Sequence, residues 1–279
     1  MRAQITLTSA ESKRVIAKAV ADMDVVRKAL KNGTILIPRG TTNAFVLEEL
    51  TGEKIQKGRF ACGICTSNGT CVTKDRMSEV VIEKGKIVRA LRIIKEFVDK
   101  VGEGDVIIKG ANALDTDGNA AVMIGHPTGG HFGEILRGEK AKGICSIIPV
   151  GLEKLIPISV SAASKEAGMT LMDYSMGNPV SLWPITGIVI TEIQAIRQLS
   201  GADAIPIGSG GIGGAEGGTT LVITGTENKV RKAIEIVEKC KGEEPVQAFR
   251  ENCVGCYSVT CPKRKEKPAN QSTFGFGTA

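Results

Sequence analysis

The sequence predicts an α/β protein: a mainly parallel three-layer sheet domain joined to a smaller ferredoxin-like α+β domain. Three observations predict it. Short apolar runs alternate with amphipathic stretches through the first half, the pattern of a largely parallel sheet with crossover helices. The second half runs in the order β-α-β, β-α. Glycine makes up 34 of 279 residues with no Gly-X-Y period, which excludes collagen and points to tight turns or backbone-lined ligand loops. Residues 1–150 read as an anion-binding α/β domain, 151–242 as the small domain, and 243–279 as a cysteine-containing basic tail.

The elements follow in order. Thr8 and Glu11 have the spacing of a capping box, and Val15, Ile16, Ala19, Val20 and Met23 continue at helical spacing toward Lys31-Asn32-Gly33. Thr34 to Pro38 reads as a buried strand, Arg39 to Asn43 as a polar loop, and Ala44 to Leu50 as a helix. Short strands are expected at Arg59 to Cys62, Cys71 to Thr73, Val80 to Ile82 and Ile87 to Val88. An amphipathic helix is expected from Arg89 to Val101, with Leu91, Ile94, Val98 and Val101 on one face. Strands at Asp105 to Lys109, Ala120 to Ile124 and Ile144 to Val150 flank a short helix from His131 to Leu136. The small domain comprises strand Ile185 to Ile190, helix Thr191 to Leu199, strands Ala202 to Ile207 and Thr219 to Thr224, helix Glu227 to Lys239, and a last strand at Pro245 to Phe249.

Composition narrows the function. With 42% hydrophobic and 24% charged residues the chain is of ordinary globular make-up, and a net charge of +6 suits a small anionic metabolite as partner. Ten aromatic residues are too few for stacking platforms, which argues against nucleic acid. Met1 to Ile5 opens without the apolar core of a signal peptide, and no run reaches ~18 apolar residues, so a cytoplasmic protein with no membrane contact is expected. A homo-oligomer stays open.

Arg39, Gly40, Thr41 and Thr42, between a strand and a helix, could hold anionic oxygens; an ordinary capped turn is the other reading. Both histidines, His126 and His131, fall with Glu134 in a glycine-rich stretch, a set able to move protons, or else a structural turn. Asn112 and Asp115 lie at the carboxyl end of a strand, where ligands bind in open α/β sheets; the alternative is an Asx-rich turn. Gly208 to Gly218 contains a formal G-x-G-x-x-G, but a strand follows it, so no dinucleotide is expected and a loop closing over a site is the functional reading. Six of the eight cysteines form two triplets, Cys62, Cys65 and Cys71, and Cys253, Cys256 and Cys261. Such clustered thiolates suit an iron–sulfur cluster or zinc, with scattered reduced thiols as the alternative. Lys263 to Lys267 reads as a solvated tail.

Ile35 to Asn43, Lys109 to Asp115 and Gly125 to Gly130 together resemble the loops of the superfamily that holds ribose-5-phosphate isomerase, glucosamine-6-phosphate deaminase and the CoA-transferases. The resemblance spans about residues 33–136. It implies an isomerase-like main sheet with an attached ferredoxin-like domain, a phosphate loop at Arg39 to Asn43, and a general base at Glu134. Lys109 and Asn112 stand where the isomerase keeps aspartates, and no lysine precedes the Gly125 loop. Glu216 resembles the nucleophilic glutamate of the CoA-transferases. The expectation is therefore an enzyme with isomerase-like enediol chemistry first and acyl or CoA transfer second. The alternative is a non-catalytic metal protein, an electron-transfer or sensing module on the same scaffold.

Overall fold

Strand β1 (Arg2–Leu7) alternates exposed Arg2, Gln4 and Thr6 with inward Ala3, Ile5 and Leu7, as a half-buried strand must. The computed structural model describes residues 1–89, 94–256, 258 and 260–265. Thr8 then caps α1 (Ser9–Asp22): its hydroxyl accepts from the Glu11 N–H, and the Glu11 carboxylate accepts from the Thr8 N–H. The single helix expected up to Gly33 is interrupted at extended Met23, beyond which α2 (Asp24–Asn32) starts in a new direction. There follow β2 (Thr34–Ile37), α3 (Thr41–Thr51), the hairpin β3 (Gly63–Thr66) and β4 (Gly69–Val72), the hairpin β5 (Val80–Glu83) and β6 (Lys86–Arg89), α4 (Ile94–Lys100) and β7 (Val106–Ile108). Then come β8 (Ala113–Leu114), β9 (Ala120–Ile124), α5 (Gly130–Lys142), β10 (Cys145–Pro149), α6 (Val160–Glu166), β11 (Ser181–Ile185) and β12 (Ile188–Ile190). The chain continues through α7 (Glu192–Ser200), β13 (Asp203–Gly210), β14 (Gly218–Thr224) and α8 (Glu227–Glu238).

The main sheet is mixed. Its order is β12-β10-β7-β2-β5-β6, with β12, β10, β7 and β2 parallel and β5 and β6 antiparallel. Alternation along its strands serves two layers. Ile35, Ile37, Val106, Ile108 and Ile147 join the large core formed with α1, α2, α3 and α7. Leu36, Val81 and Ile107 face the other way, onto Phe97, Val101, Ile135 and Ile144 around α4 and α5. A second sheet, β11-β9-β8, packs against β10 through Ile148, Val150, Val122 and Ile185. A third, β1-β14-β13, is wholly antiparallel and packs on α7 and α8.

Several elements differ from the expectation. Arg59 to Cys62 is not a strand: Lys57–Phe60 forms one 3-10 turn. Ile185 to Ile190 is two strands in two sheets, since β11 pairs with β9 while β12 pairs with β10. The place left in the small sheet is taken by β1, so hydrogen bonding crosses the expected boundary at residue 150 in both directions. Pro245 to Phe249 joins no sheet among the described residues. Pro245 has no N–H to give a ladder, and the segment instead crosses the 3-10 turn, with the Phe249 ring 5.0 Å from the Arg59 guanidinium. Of the helix expected from Arg89, residues 90–93 lie outside the described residues, as does the tail beyond Lys265. Among the described residues no helix is long and apolar enough to cross a membrane.

Candidate functional site

Parallel strands end together, so the segments after β2, β7, β10 and β12 share one edge of the main sheet. Asn43, fully buried, ties two of them. Its amide donates to the carbonyls of Pro38 (2.6 Å) and Ile108 (2.7 Å), and its oxygen accepts from the Gly110 N–H (3.1 Å).

The residues expected to grip an anion have other partners. Arg39 is ion-paired with Glu79 at 2.5 Å, and both are buried. Thr42 is buried, and the Gly40 N–H donates to Phe60. Asn112 accepts from the Met123 N–H at 3.0 Å. The Asp115 carboxylate accepts from the N–H groups of Val160, Asn119 and Asp117 and from the Asn119 amide. Those donors, the Val160 N–H foremost, hold its carboxyl below the ordinary carboxylate range. Both side chains therefore organise backbone rather than present themselves to a ligand. Thr41 of this set lines a cleft.

The histidine segment divides as well. His126 Nδ1 accepts from the N–H groups of Gly130 (3.0 Å) and Thr128 (3.3 Å), capping α5 across the left-handed Gly129 and Gly130. His131 is exposed and its Nδ1 lies 3.8 Å from Glu79. The Glu134 side chain makes no hydrogen bond or ion pair among the described residues. Beside Arg39, Glu79 and His131 lies Lys109. Its amine donates to the Gly110 carbonyl at 3.3 Å and stands 5.2 Å from the Phe132 ring centre. Burial pushes its pKa down to about 8; the Arg39 charge acts in the same sense, while Cys62 and Glu79 oppose it. Glu79 went unread in the sequence although its position is simple: it precedes β5, whose Val80 pairs with Ile37 two residues before Arg39.

Farther along the same edge lies a cleft of about 290 Å3. Its wall includes Lys13 from α1, Thr41 from α3, Glu153 and Lys154 from the turn after β10, and Glu216 from the glycine-rich connection between β13 and β14. Lys13 donates to Glu153 at 2.6 Å and to the Ser9 carbonyl at 3.1 Å. The other Glu153 oxygen, Oε2, is buried without a hydrogen-bond partner. Gly151 makes room for that carboxylate, since a Cβ there would stand 1.8 Å from Glu153 Oε2. Behind it Glu192, with no exposed surface, accepts from the Leu152 N–H at 2.9 Å. Burial, then the charge of Glu153, raises the Glu192 carboxyl to about 7. Lys13, Glu153 and Glu192 come from three distant segments and look like helix-end charges in sequence. The rule that ligands gather at strand carboxyl ends would have pointed to Glu153.

The cysteines regroup. In the β3–β4 hairpin Ile64 pairs with Cys71 and Cys65 with Thr70, so the pleat sends Cys65 and Cys71 to opposite faces. Cys62 accepts from Arg76 at 3.1 Å. Cys71 instead lines a small cavity together with Cys253, Cys256 and Cys261. Cys240 is buried in the main core, which pushes its thiol up to about 11. Among the described residues, no three His, Cys, Asp or Glu side chains converge closely enough to hold a metal ion as they stand. Strand alternation thus parts Cys65 from Cys71 within the first triplet. No protein-family model matches the chain, and no curated protein or solved structure matches it either.

Proposed function

We propose that the protein is an enzyme that binds a small anionic metabolite in the cleft at the strand carboxyl ends and moves protons on it. One observation carries this reading: Glu153 presents a buried, unpartnered carboxylate oxygen at a cleft that also holds two lysines, with a second carboxyl behind it that titrates near neutrality. Buried polar atoms are nearly always paired, and exceptions concentrate at sites that take a ligand or water. Lys13 and Lys154 would hold the anion, assisted by the Thr41 hydroxyl. Glu153, paired with Lys13 at 2.6 Å, would take a proton from carbon beside a carbonyl and return it to a neighbouring atom. Glu192 would retain its proton below pH 7 and so spare the site a second negative charge.

This chemistry is isomerase-like. The four parallel strands with helices on both faces support an isomerase or CoA-transferase-like main domain, and β1-β14-β13 with α7 and α8 supports the ferredoxin-like one. A second reading, acyl or CoA transfer through a glutamyl anhydride, is favoured by the presence of Glu216 in the same cleft. Both readings suit a cytoplasmic enzyme with reduced thiols.

The test is a thermal-shift screen of the intact protein with sugar phosphates, carboxylates and CoA esters. A ligand at a hundred times its Kd adds about 2.7 kcal/mol. Binding that Lys13→Met abolishes, with substrate deuterium exchange in D2O that Glu153→Gln abolishes, is the expected result. No stabiliser in the panel, or one indifferent to both substitutions, overturns the reading.

A further inference from the structure

We infer that Cys71, Cys253, Cys256 and Cys261 form one tetrathiolate site for a soft metal centre, clamping segment 250–265 onto the β3–β4 hairpin. All four cysteines line the same cavity, which encloses about 20 Å3. They come from two chain segments 182 residues apart in number, Cys71 to Cys253, and the second supplies the Cys-x2-Cys spacing that lets two sulfurs meet one ion.

The surroundings suit thiolates. The Ser258 N–H points to Cys256 Sγ at 3.5 Å, Arg250 to Cys253 Sγ at 3.6 Å, and the Thr66 hydroxyl lies 3.9 Å from Cys71 Sγ. Such donors tune and orient metal-bound sulfur. Binding a divalent ion releases the four thiol protons and leaves two negative charges, and two guanidinium groups, Arg250 and Arg264, stand on the cavity wall to offset them. The sulfurs do not converge as they stand, but a single rotamer change carries a sulfur about 3 Å, enough to bring wall-lining thiols inward.

The second argument is what the clamp would replace. None of the described residues from 62 to 73 or from 250 to 265 belongs to any of the four hydrophobic clusters. Instead the contact is polar. Asn178 accepts from the Ser258 and Thr260 hydroxyls at 2.6 Å each and exchanges hydrogen bonds with Thr70, while Glu251 donates to Val72. A segment that buries so little apolar surface needs a covalent or metal staple to stay docked. The cavity volume suits a single ion, zinc above all, since one water-sized body needs ~10–15 Å3; an iron–sulfur cluster would use the same four sulfurs with the segment displaced outward.

The experiment uses the full chain, purified without oxygen from medium supplied with zinc and iron, with metal and acid-labile sulfide analysis. The expected result is about one zinc, or iron with matching sulfide, per chain. It is lost in Cys71→Ser and Cys256→Ser and kept in Cys62→Ser and Cys65→Ser. Circular dichroism melts check that the variants fold, and limited proteolysis of the wild type with a chelator should open cleavage within 250–265. Metal-free wild type, metal that survives Cys71→Ser, or metal lost in Cys62→Ser overturns the assignment. None of these results bears on ligand binding at the Lys13–Glu153 cleft.

Discussion

Arg39 and Glu79 form a buried ion pair at 2.5 Å in which each partner keeps one polar atom, Arg39 Nε and Glu79 Oε2, without a hydrogen bond. The arrangement is a costly one to break from one side only. Arg39→Met or Glu79→Leu alone strands a buried charge and should destabilise by about 3–5 kcal/mol, whereas the double variant should recover most of that loss. Urea denaturation of the three variants measures the cycle. A loss in the double variant equal to the sum of the two single losses would show that the pair is not coupled.

Asn43 stitches the ends of β2 and β7 with three hydrogen bonds, two as donor and one as acceptor. Asn43→Asp cannot donate to the Pro38 and Ile108 carbonyls, and Asn43→Ala leaves all three groups unmet. We expect either to cost about 2–4 kcal/mol, as lost buried hydrogen bonds do. Denaturant midpoints check this, with Asn43→Asp no better tolerated than Asn43→Ala.

Glu192 carries a pH signature. Its folded carboxyl titrates at about 7 against an ordinary 4.5. Below pH 4.5 both folded and unfolded chains hold the proton, so it contributes nothing there. Between 4.5 and 7 the unfolded chain loses the proton first, so stability falls as pH rises, by about 3 kcal/mol in all, and then levels off. Glu192→Gln should match the wild type near pH 4.5, exceed it in melting temperature at pH 8, and flatten the slope between. A slope unchanged in Glu192→Gln would assign the proton elsewhere.

Lys109 shifts in the opposite sense, to about 8 from 10.5. Above pH 8 the folded chain releases this proton while the unfolded chain keeps it, so stability should rise from pH 8 to 10.5. Reductive methylation with 13C-formaldehyde and an NMR titration reads the amine directly. Its midpoint should lie near 8 and fall further in Glu79→Gln, because Glu79 favours the charged form. A midpoint near that of the surface lysines would contradict the enclosure of the amine.

How far these groups could be read beforehand follows from distance along the chain. Strands β2, β7 and β10 are short apolar runs, and the capping box at Thr8 is a local pattern, so both were legible. The meeting of Lys13, Glu153 and Glu192 is not local, and each alone reads as a solvated helix-end charge. How the cysteines of the two triplets combine was not legible for a related reason. Nearness in sequence suggested convergence, but a two-residue period separates Cys65 from Cys71 and leaves Cys71 to the C-terminal group. Arg39 misled in another way, since a loop cation before a helix is an anion site only if no buried carboxylate claims it first.

The pairing of β1 with β14 sets a timetable on the ribosome. Arg2 to Leu7 find their strand partner in Thr219 to Thr224, and at about 5–20 residues per second that partner follows roughly 10–40 s later. Throughout that interval an N-terminal strand with both edges open is exposed to the cell. Its alternating Arg2, Gln4 and Thr6 make it a poor template for self-association. The main sheet, whose strands lie between residues 34 and 190, can assemble first, and the small sheet closes last, when β14 reaches β1.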